Sequence, residues 1–342
     1  MKPGLVILTA CLLAFVSCKK NGDKPSVKTP DVYITGYDGN KAVYWKNGKE
    51  IVLPTVFSGD TLYNPIANAI AISNTGDIYI VGQSFNGSET GLVPLIWKNG
   101  VLDTLKTLNQ YDNSHNPIST IALSITISGN DVYVGGYQYG YSHPAGTAVL
   151  WENDAPVAGG QNAWEFSKLI QSNGNIYSPG ATISNIGGKA IITENVLSPA
   201  GSYANDIFIS GSDIYLAGSI SRGSGYPNAP CYWKNGVANT LTLTVFTALE
   251  DAKSICVSDS GVYVTAINDV IWKNGVGLYF VKAYTDCYYN NMTVLNKDVY
   301  IVGEIDAHGG QNNLTRHATL WKNNVPTTLA GSYSATTDIY VH

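Results

Sequence analysis

The sequence predicts an all-β protein, a seven-bladed β-propeller with four antiparallel strands per blade, and three observations predict it. One phrase occurs six times: Tyr44-Trp45-Lys46-Asn47-Gly48, Ile96-Trp97-Lys98-Asn99-Gly100, Leu150-Trp151-Glu152-Asn153-Asp154, Tyr232-Trp233-Lys234-Asn235-Gly236, Ile271-Trp272-Lys273-Asn274-Gly275 and Leu320-Trp321-Lys322-Asn323-Asn324. Ahead of each stands a second phrase, usually Asp-Val/Ile-Tyr-Ile/Val, with tyrosines at Tyr33, Tyr79, Tyr133, Tyr215, Tyr263 and Tyr300. Strand-like units at a period of roughly 40–50 residues mark a propeller. The third observation concerns the two ends. Asp31-Val32-Tyr33 reads as a second strand with no first strand before it, while 332–342 resembles the first strand at 202–210. The C-terminal strand is therefore expected to complete the N-terminal blade and remove its open edge. An open solenoid would leave that match unexplained.

Residues 1–18 precede the repeats and read as a targeting segment. Lys2 gives a positive start, and the apolar run 5–16 is too short to span a bilayer as a helix. Phe15-Val16-Ser17-Cys18 then resembles the lipobox of bacterial lipoproteins, although Phe15 stands where leucine is usual. That resemblance implies cleavage before Cys18, lipidation of Cys18 and a membrane anchor. Lys19 in place of Asp implies, by the same family's sorting rule, the outer membrane. Residues 19–30, with Pro25 and Pro30, read as a flexible tether with a reach of up to ~40 Å.

Residues 31–342 form the propeller, and each unit reads as four short strands. The first is a compact apolar run such as Ala69-Ile70-Ala71-Ile72. A tight cluster such as Ser73-Asn74-Thr75-Gly76 leads to the second strand, the tyrosine phrase. The third ends in Trp-Lys, and Asn-Gly then forms a two-residue type I′ hairpin turn. The fourth is short, as in Ile51-Val52-Leu53. A seventh, worn unit carries Tyr177 and the segment 182–188, which keeps a glycine-rich turn but lacks the tryptophan. The repeated Trp and Tyr are expected to pack blade against blade. The repeated Asp is expected to hydrogen-bond the backbone at its turn.

Only 13% of residues are charged and the net charge is −5, without a basic stripe, which argues against nucleic-acid binding. A monomer is expected. Cys231, Cys256 and Cys287 are an odd number for a disulfide framework; Cys256 reads as a small core residue, and a Cys231–Cys287 bridge stays open.

Loops joining strands two to three and four to one share one face of a propeller, and here those are the long ones: 83–94, 137–147, 221–230 and 304–317, and 54–67, 106–119, 157–166 and 281–289. Function on a rigid scaffold concentrates in such loops. Their candidate ligand-binding residues are Tyr137, Tyr139, Tyr141, His143, Trp164, Arg222, Tyr226, Asp286, Tyr288, Asp306, His308, Arg316 and His317. Aromatic faces with polar handles suit a glycan or a protein partner at the envelope.

Catalysis would need groups at the axial channel. Aligned first strands offer Asn68, Leu123, Ser167, Asn205, Lys253, Asn291 and Thr337, none of them a carboxylate. Asp206, Asp251, Asp286 and Asp338 lie near the same level. The asparagines resemble part of the ring of lactonase-like propellers. The histidines show no metal-binding spacing, and no nucleophile elbow occurs. The expectation is binding without catalysis, with no catalytic residue, metal or cofactor; a metal-assisted hydrolase or lyase at the channel mouth is the alternative. Together, Ser17-Cys18-Lys19-Lys20, the polar tether and the Tyr-Trp-Lys-Asn-Gly repeats resemble the propeller lipoproteins of Bacteroidota-type bacteria, a family from which no activity transfers.

Overall fold

The computed structural model describes residues 29–342 except 58–59, 87–90, 110, 112–114, 141–142, 161–164, 180, 187–188, 195–200, 224–227, 243–250, 267–269, 280–285 and 310–312. The targeting segment with Cys18 lies outside the described residues. Among those described, the regular elements are all β-strands, and no helix is long and apolar enough to cross a membrane.

The chain is a β-propeller whose described residues form antiparallel sheets, six of four strands and one with a short fifth strand. The first sheet holds β1 (Val32–Asp38), β2 (Lys41–Lys46) and β3 (Lys49–Val52). The second holds β4 (Val56–Phe57), β5 (Asp60–Ile72), β6 (Ile78–Asn86), β7 (Leu92–Lys98) and β8 (Val101–Thr104). The third holds β9 (Ser119–Ser128), β10 (Asp131–Gly140), β11 (His143–Glu152) and β12 (Ala155–Gly160). The worn unit makes β13 (Ile170–Ser172), β14 (Asn175–Ser178), β15 (Ala181–Ile186) and β16 (Lys189–Glu194). Next come β17 (Tyr203–Ser210), β18 (Asp213–Ile220), β19 (Ala229–Lys234) and β20 (Val237–Thr240), then β21 (Ala252–Ser258), β22 (Gly261–Ala266), β23 (Val270–Lys273) and β24 (Val276–Tyr279). Strands β25 (Asp286–Leu295), β26 (Asp298–Gly309), β27 (Asn313–Lys322) and β28 (Val325–Thr328) follow. The last, β29 (Ser334–Val341), pairs antiparallel with β1, Thr35 opposite Asp338.

The repeated phrase is a local hydrogen-bonding device. Asn47, Asn99, Asn235 and Asn274 have φ of 50–52° and the glycines after them 79–81°, as a type I′ turn requires. Each turn asparagine then reaches back across the hairpin. Its Oδ1 accepts the backbone N–H of Val32, Ile78, Val132, Ile214, Val262 or Val299 at 2.8–3.0 Å. Its Nδ2 donates to Asp31, Asp77, Asp131, Asp213 or Asp298 at 2.7–2.9 Å. The expected backbone bond is thus made by the asparagine, and the aspartate serves the asparagine side chain instead. In the sixth case Gly261 replaces the aspartate, at φ 134°, where a Cβ would collide with the Asn274 side chain. The lysine of the phrase lies over the tyrosine ring, 4.9–5.3 Å from its centroid in five sheets.

The repeated tryptophans are 0–3% exposed and pack sheet to sheet. Trp97 clusters with Tyr33 of the preceding sheet, Trp233 with Tyr177, Trp272 with Tyr215, Trp321 with Tyr263 and Trp45 with Tyr300. The indole N–H groups of Trp97, Trp151 and Trp272 donate to carbonyls just past the preceding outer strand: Pro54 (3.0 Å), Lys106 (2.6 Å) and Thr242 (3.1 Å). Each of these three thereby buries a large face and satisfies its one polar atom, whereas the buried Trp45 indole N–H has no hydrogen-bond partner among the described residues.

One expectation is corrected and one open alternative is closed. The stretches 54–67, 83–94, 137–147 and 304–317 are mostly strand, not loop. β6 and β7 pair out to Phe85 and Leu92, β10 and β11 out to Gly140 and His143, and β26 and β27 out to Gly309 and Asn313. Backbone groups that a loop would expose are paired across these extended hairpins. The Cys231–Cys287 bridge does not exist: Cys231, Cys256 and Cys287 are free and buried.

Candidate functional site

The site is built by β-bulges. In six sheets the pairing of first and second strands skips one residue of the first: Asn68, Leu123, Asn205, Lys253, Asn290 and Thr337. A bulge leaves the extra residue outside the ladder and re-aims its side chain. All six line one axial cavity of about 370 Å³, together with Ser167, Asn291 and Tyr137. The second strand must come close to each bulge. At Gly36, Gly82, Gly136, Gly218 and Gly303 a Cβ would land on a first-strand carbonyl oxygen, that of Ala335, Ile66, Ile121, Tyr203 or Tyr288.

The bulged side chains staple neighbouring sheets. Asn68 Nδ2 donates to Ala122 O (2.7 Å), Asn205 Nδ2 to Ala252 O (2.8 Å), Asn290 Nδ2 to Thr336 O (2.7 Å) and Thr337 Oγ1 to Ala67 O (2.6 Å). Each acceptor lies just before, or one residue short of, the next sheet's bulge. Two neighbours of bulged residues do the converse. Asp206 Oδ2 accepts the N–H of Ile255 at 2.9 Å, and Asp338 Oδ2 that of Ile70 at 3.1 Å.

Charge enters through the worn sheet. Lys168, just before β13, sends its Nζ to Asp338 Oδ1 at 3.3 Å. Burial would push the Lys168 ammonium down, but Asp338 and Asp206 outweigh it and hold its pKa above the ordinary lysine value. Burial raises the Asp206 carboxyl; Lys168, Ser254 and the N–H groups of Ile255 and Ile207 pull the other way without cancelling it. Asn291 donates to Asp338 and accepts from Met292 N and Ser254 Oγ, closing the network. Glu165 stands exposed at the mouth, yet crowding by the cavity walls raises its carboxyl, against the pull of Lys253.

The described carboxylates Asp206, Asp251 and Asp338 do not form an ion site. Asp251 is turned to the Tyr203 and Ser219 hydroxyls. Asp206 and Asp338 are consumed by backbone N–H groups, Ser254 and Lys168. Among the described residues no three His, Cys, Asp or Glu come together.

The sequence-predicted residues divide. Tyr137 lines the cavity, with its ring stacked on Tyr139 at 5.5 Å and 22°. Arg316 gathers Tyr288, Asp306 and Glu304 at the last sheet: its guanidinium lies 5.2 Å from the Tyr288 ring, 3.5 Å from Asp306 and 3.2 Å from Glu304. It also lines a second cleft with Tyr37 and Tyr333. His317 pairs across to Ile305, one position from that cluster and so on the opposite face of the hairpin. Arg222 is exposed beyond β18, away from the cavity lining. Tyr141, Trp164 and Tyr226 lie outside the described residues, as do the side chains of His143, Asp286 and His308. Lys168, Glu165 and Asn290 were missed as site residues. The available signal was the polar residue recurring ahead of each apolar first strand.

No protein-family profile and no curated protein sequence matches the chain. The solved structures similar to it include an enzyme and a peptide-bound protein. One is an acylaminoacyl peptidase of Pyrococcus horikoshii, orthorhombic crystal form, with 10% identity and TM-score 0.45, covering 89% of this chain and 53% of that one. The other is YCF48 bound to D1 peptide, with 10% identity and TM-score 0.44, covering 84% and 83%. The chain spans about half the length of the peptidase chain it matches.

Proposed function

We propose that the chain is a closed, seven-bladed propeller, lipid-anchored through Cys18 at the outer membrane of a bacterium, which binds a glycan without transforming it. The observation that carries the binding reading is the axial cavity: polar, walled by the bulge ring, with the Tyr137–Tyr139 stack beside it. Hydroxyl-rich ligands need hydrogen-bonding walls with an aromatic face for their C–H surface. Consumption of Asp206, Asp251 and Asp338 by protein partners favours this over the metal-assisted alternative. Closure is supported by the β1–β29 pairing and by first strands that touch in a circle: β5 on β9, β9 on β13, β13 on β17, β17 on β21, β21 on β25, β25 on β29 and β29 on β5.

A glycan array followed by calorimetry tests the binding. Tyr137→Ala is expected to weaken any glycan found by roughly five- to tenfold, the scale of losing ~1 kcal/mol of aromatic contact. A protein partner captured through the same residues, with no glycan bound, would replace the ligand class. Anchoring is tested by metabolic labelling with a fatty-acid analogue: wild type should be labelled and Cys18→Ala not. Equal labelling of both would sink the anchor.

A further inference from the structure

We infer that the axial cavity takes the acidic, uronate-type residue of a glycan, its carboxylate paired with Lys253; this rests on the glycan reading above.

Two lysines line the cavity, and they differ in what they already hold. Lys168 is committed to Asp338 at 3.3 Å. Lys253 occupies a bulge position, where Asn68, Asn205 and Thr337 in other sheets donate to the next sheet's backbone. Among the described residues Lys253 makes no such bond and no ion pair within 4 Å. It is a half-buried cation facing the cavity, near enough to the exposed Glu165 to pull on its carboxyl but not paired with it. A cation partly removed from water gains most from an anion that brings its own hydrogen-bonding oxygens.

The remaining wall narrows the anion to a hydroxylated one. Asn68 spends both amide hydrogens, on Ala122 O and Gln83 Oε1, and Asn290 both, on Thr336 O and Glu304 Oε1, while Asn205 spends one, on Ala252 O. Their Oδ1 atoms keep no partner among the described residues, so the ring offers three acceptors beside the one spare Asn205 N–H, a mix that suits sugar hydroxyls better than a bare polyanion such as phosphate. Leu123 and the Tyr137 ring supply apolar wall for a pyranose face. A volume of about 370 Å³ falls at the lower end of small-molecule sites, roughly 300–1,000 Å³, and suits one or two sugar residues.

The test is calorimetry on the full-length protein in a non-glycosidic detergent. Galacturonate and glucuronate disaccharides are compared with galactose and glucose disaccharides. The acidic sugars should bind about tenfold or more tightly, the scale of a hydrogen bond to a charged group. Lys253→Met should abolish that preference while leaving the weaker neutral binding, and Lys253→Arg should retain it. Equal binding of acidic and neutral sugars, or a preference that survives Lys253→Met, overturns the inference and leaves the glycan reading standing. No binding of either sugar class to the wild type overturns both. Circular dichroism of Lys253→Met, expected to match wild type, separates lost recognition from lost fold.

Discussion

A single turn asparagine does three jobs: it adopts positive φ, accepts a backbone N–H and donates to an aspartate. Asn235→Ala should therefore cost about 1–2 kcal/mol, from lost hydrogen bonds and left-handed backbone strain. Asn235→Gly, which keeps the backbone free, should cost less; urea midpoints of the two variants check the order. Three of the aspartates bound to these asparagines sit below the ordinary carboxylate range: Asn99 holds Asp77 down, Lys234 holds Asp213 down and Lys322 holds Asp298 down. Their contribution to stability is present above pH 3.8 and is lost as pH falls through the lowered values, more weakly in high salt. At the buried thiols, desolvation pushes Cys231 to about 11 and Cys256 higher still. Both should ignore thiol reagents in the native protein at neutral pH and react only on unfolding. The turn was legible in the sequence because Asn-Gly declares its own backbone geometry. The exchange of partners between Asp and Asn was not, since it depends on two strands lying in register.

At the scale of the strand, the bulge decides where side chains go, and glycine permits it. Gly303→Ala drives a methyl into the Tyr288 carbonyl and should cost about 1–3 kcal/mol, read from thermal or urea unfolding. The corresponding residue of β22 is already Ala266, facing Ala252, so that sheet tolerates a Cβ where the others do not. Gly at the end of Tyr-Ile-Val-Gly is visible in the sequence, but a bulge is a relation between two strands, and one strand's pattern cannot display it. The hairpin extensions were misread for a related reason. Segment 137–147 contains Gly140, Pro144 and Gly146, the composition of a loop, and only the partner strand reveals that Tyr137 pairs with Ala148 and Gly140 with His143.

Across the whole molecule, the four-stranded repeat was readable from the sequence alone, whereas the charged centre of the cavity was not. Lys168 and Asp338 lie 170 positions apart, and the lysine belongs to the sheet that has lost the repeat. Removing it strands two carboxylates. Lys168→Met should cost about 2–3 kcal/mol near neutrality, below the ~3–5 of a fully buried pair because the side chain keeps some solvent contact. Asp206 is raised in the folded state, so its burden falls as pH drops through that raised value toward 3.8. Without Lys168 pulling the Asp206 carboxyl down, the variant should recover part of its deficit on mild acidification. A melting-temperature difference from wild type that stays constant between pH 7 and 5 would contradict this.

The pairing of β1 with β29 also dictates an order of events in time. Thr35 meets Asp338, roughly 300 positions later in the chain. At about 5–20 residues per second, synthesis leaves β1 waiting roughly 15–60 s for its inner neighbour. Throughout that interval the first sheet carries an unpaired edge, the kind of edge that recruits strands from other chains. The nascent protein thus carries an unpaired inner edge at β1 for that whole interval, and a factor that covers β1 until β29 emerges should raise the folded yield.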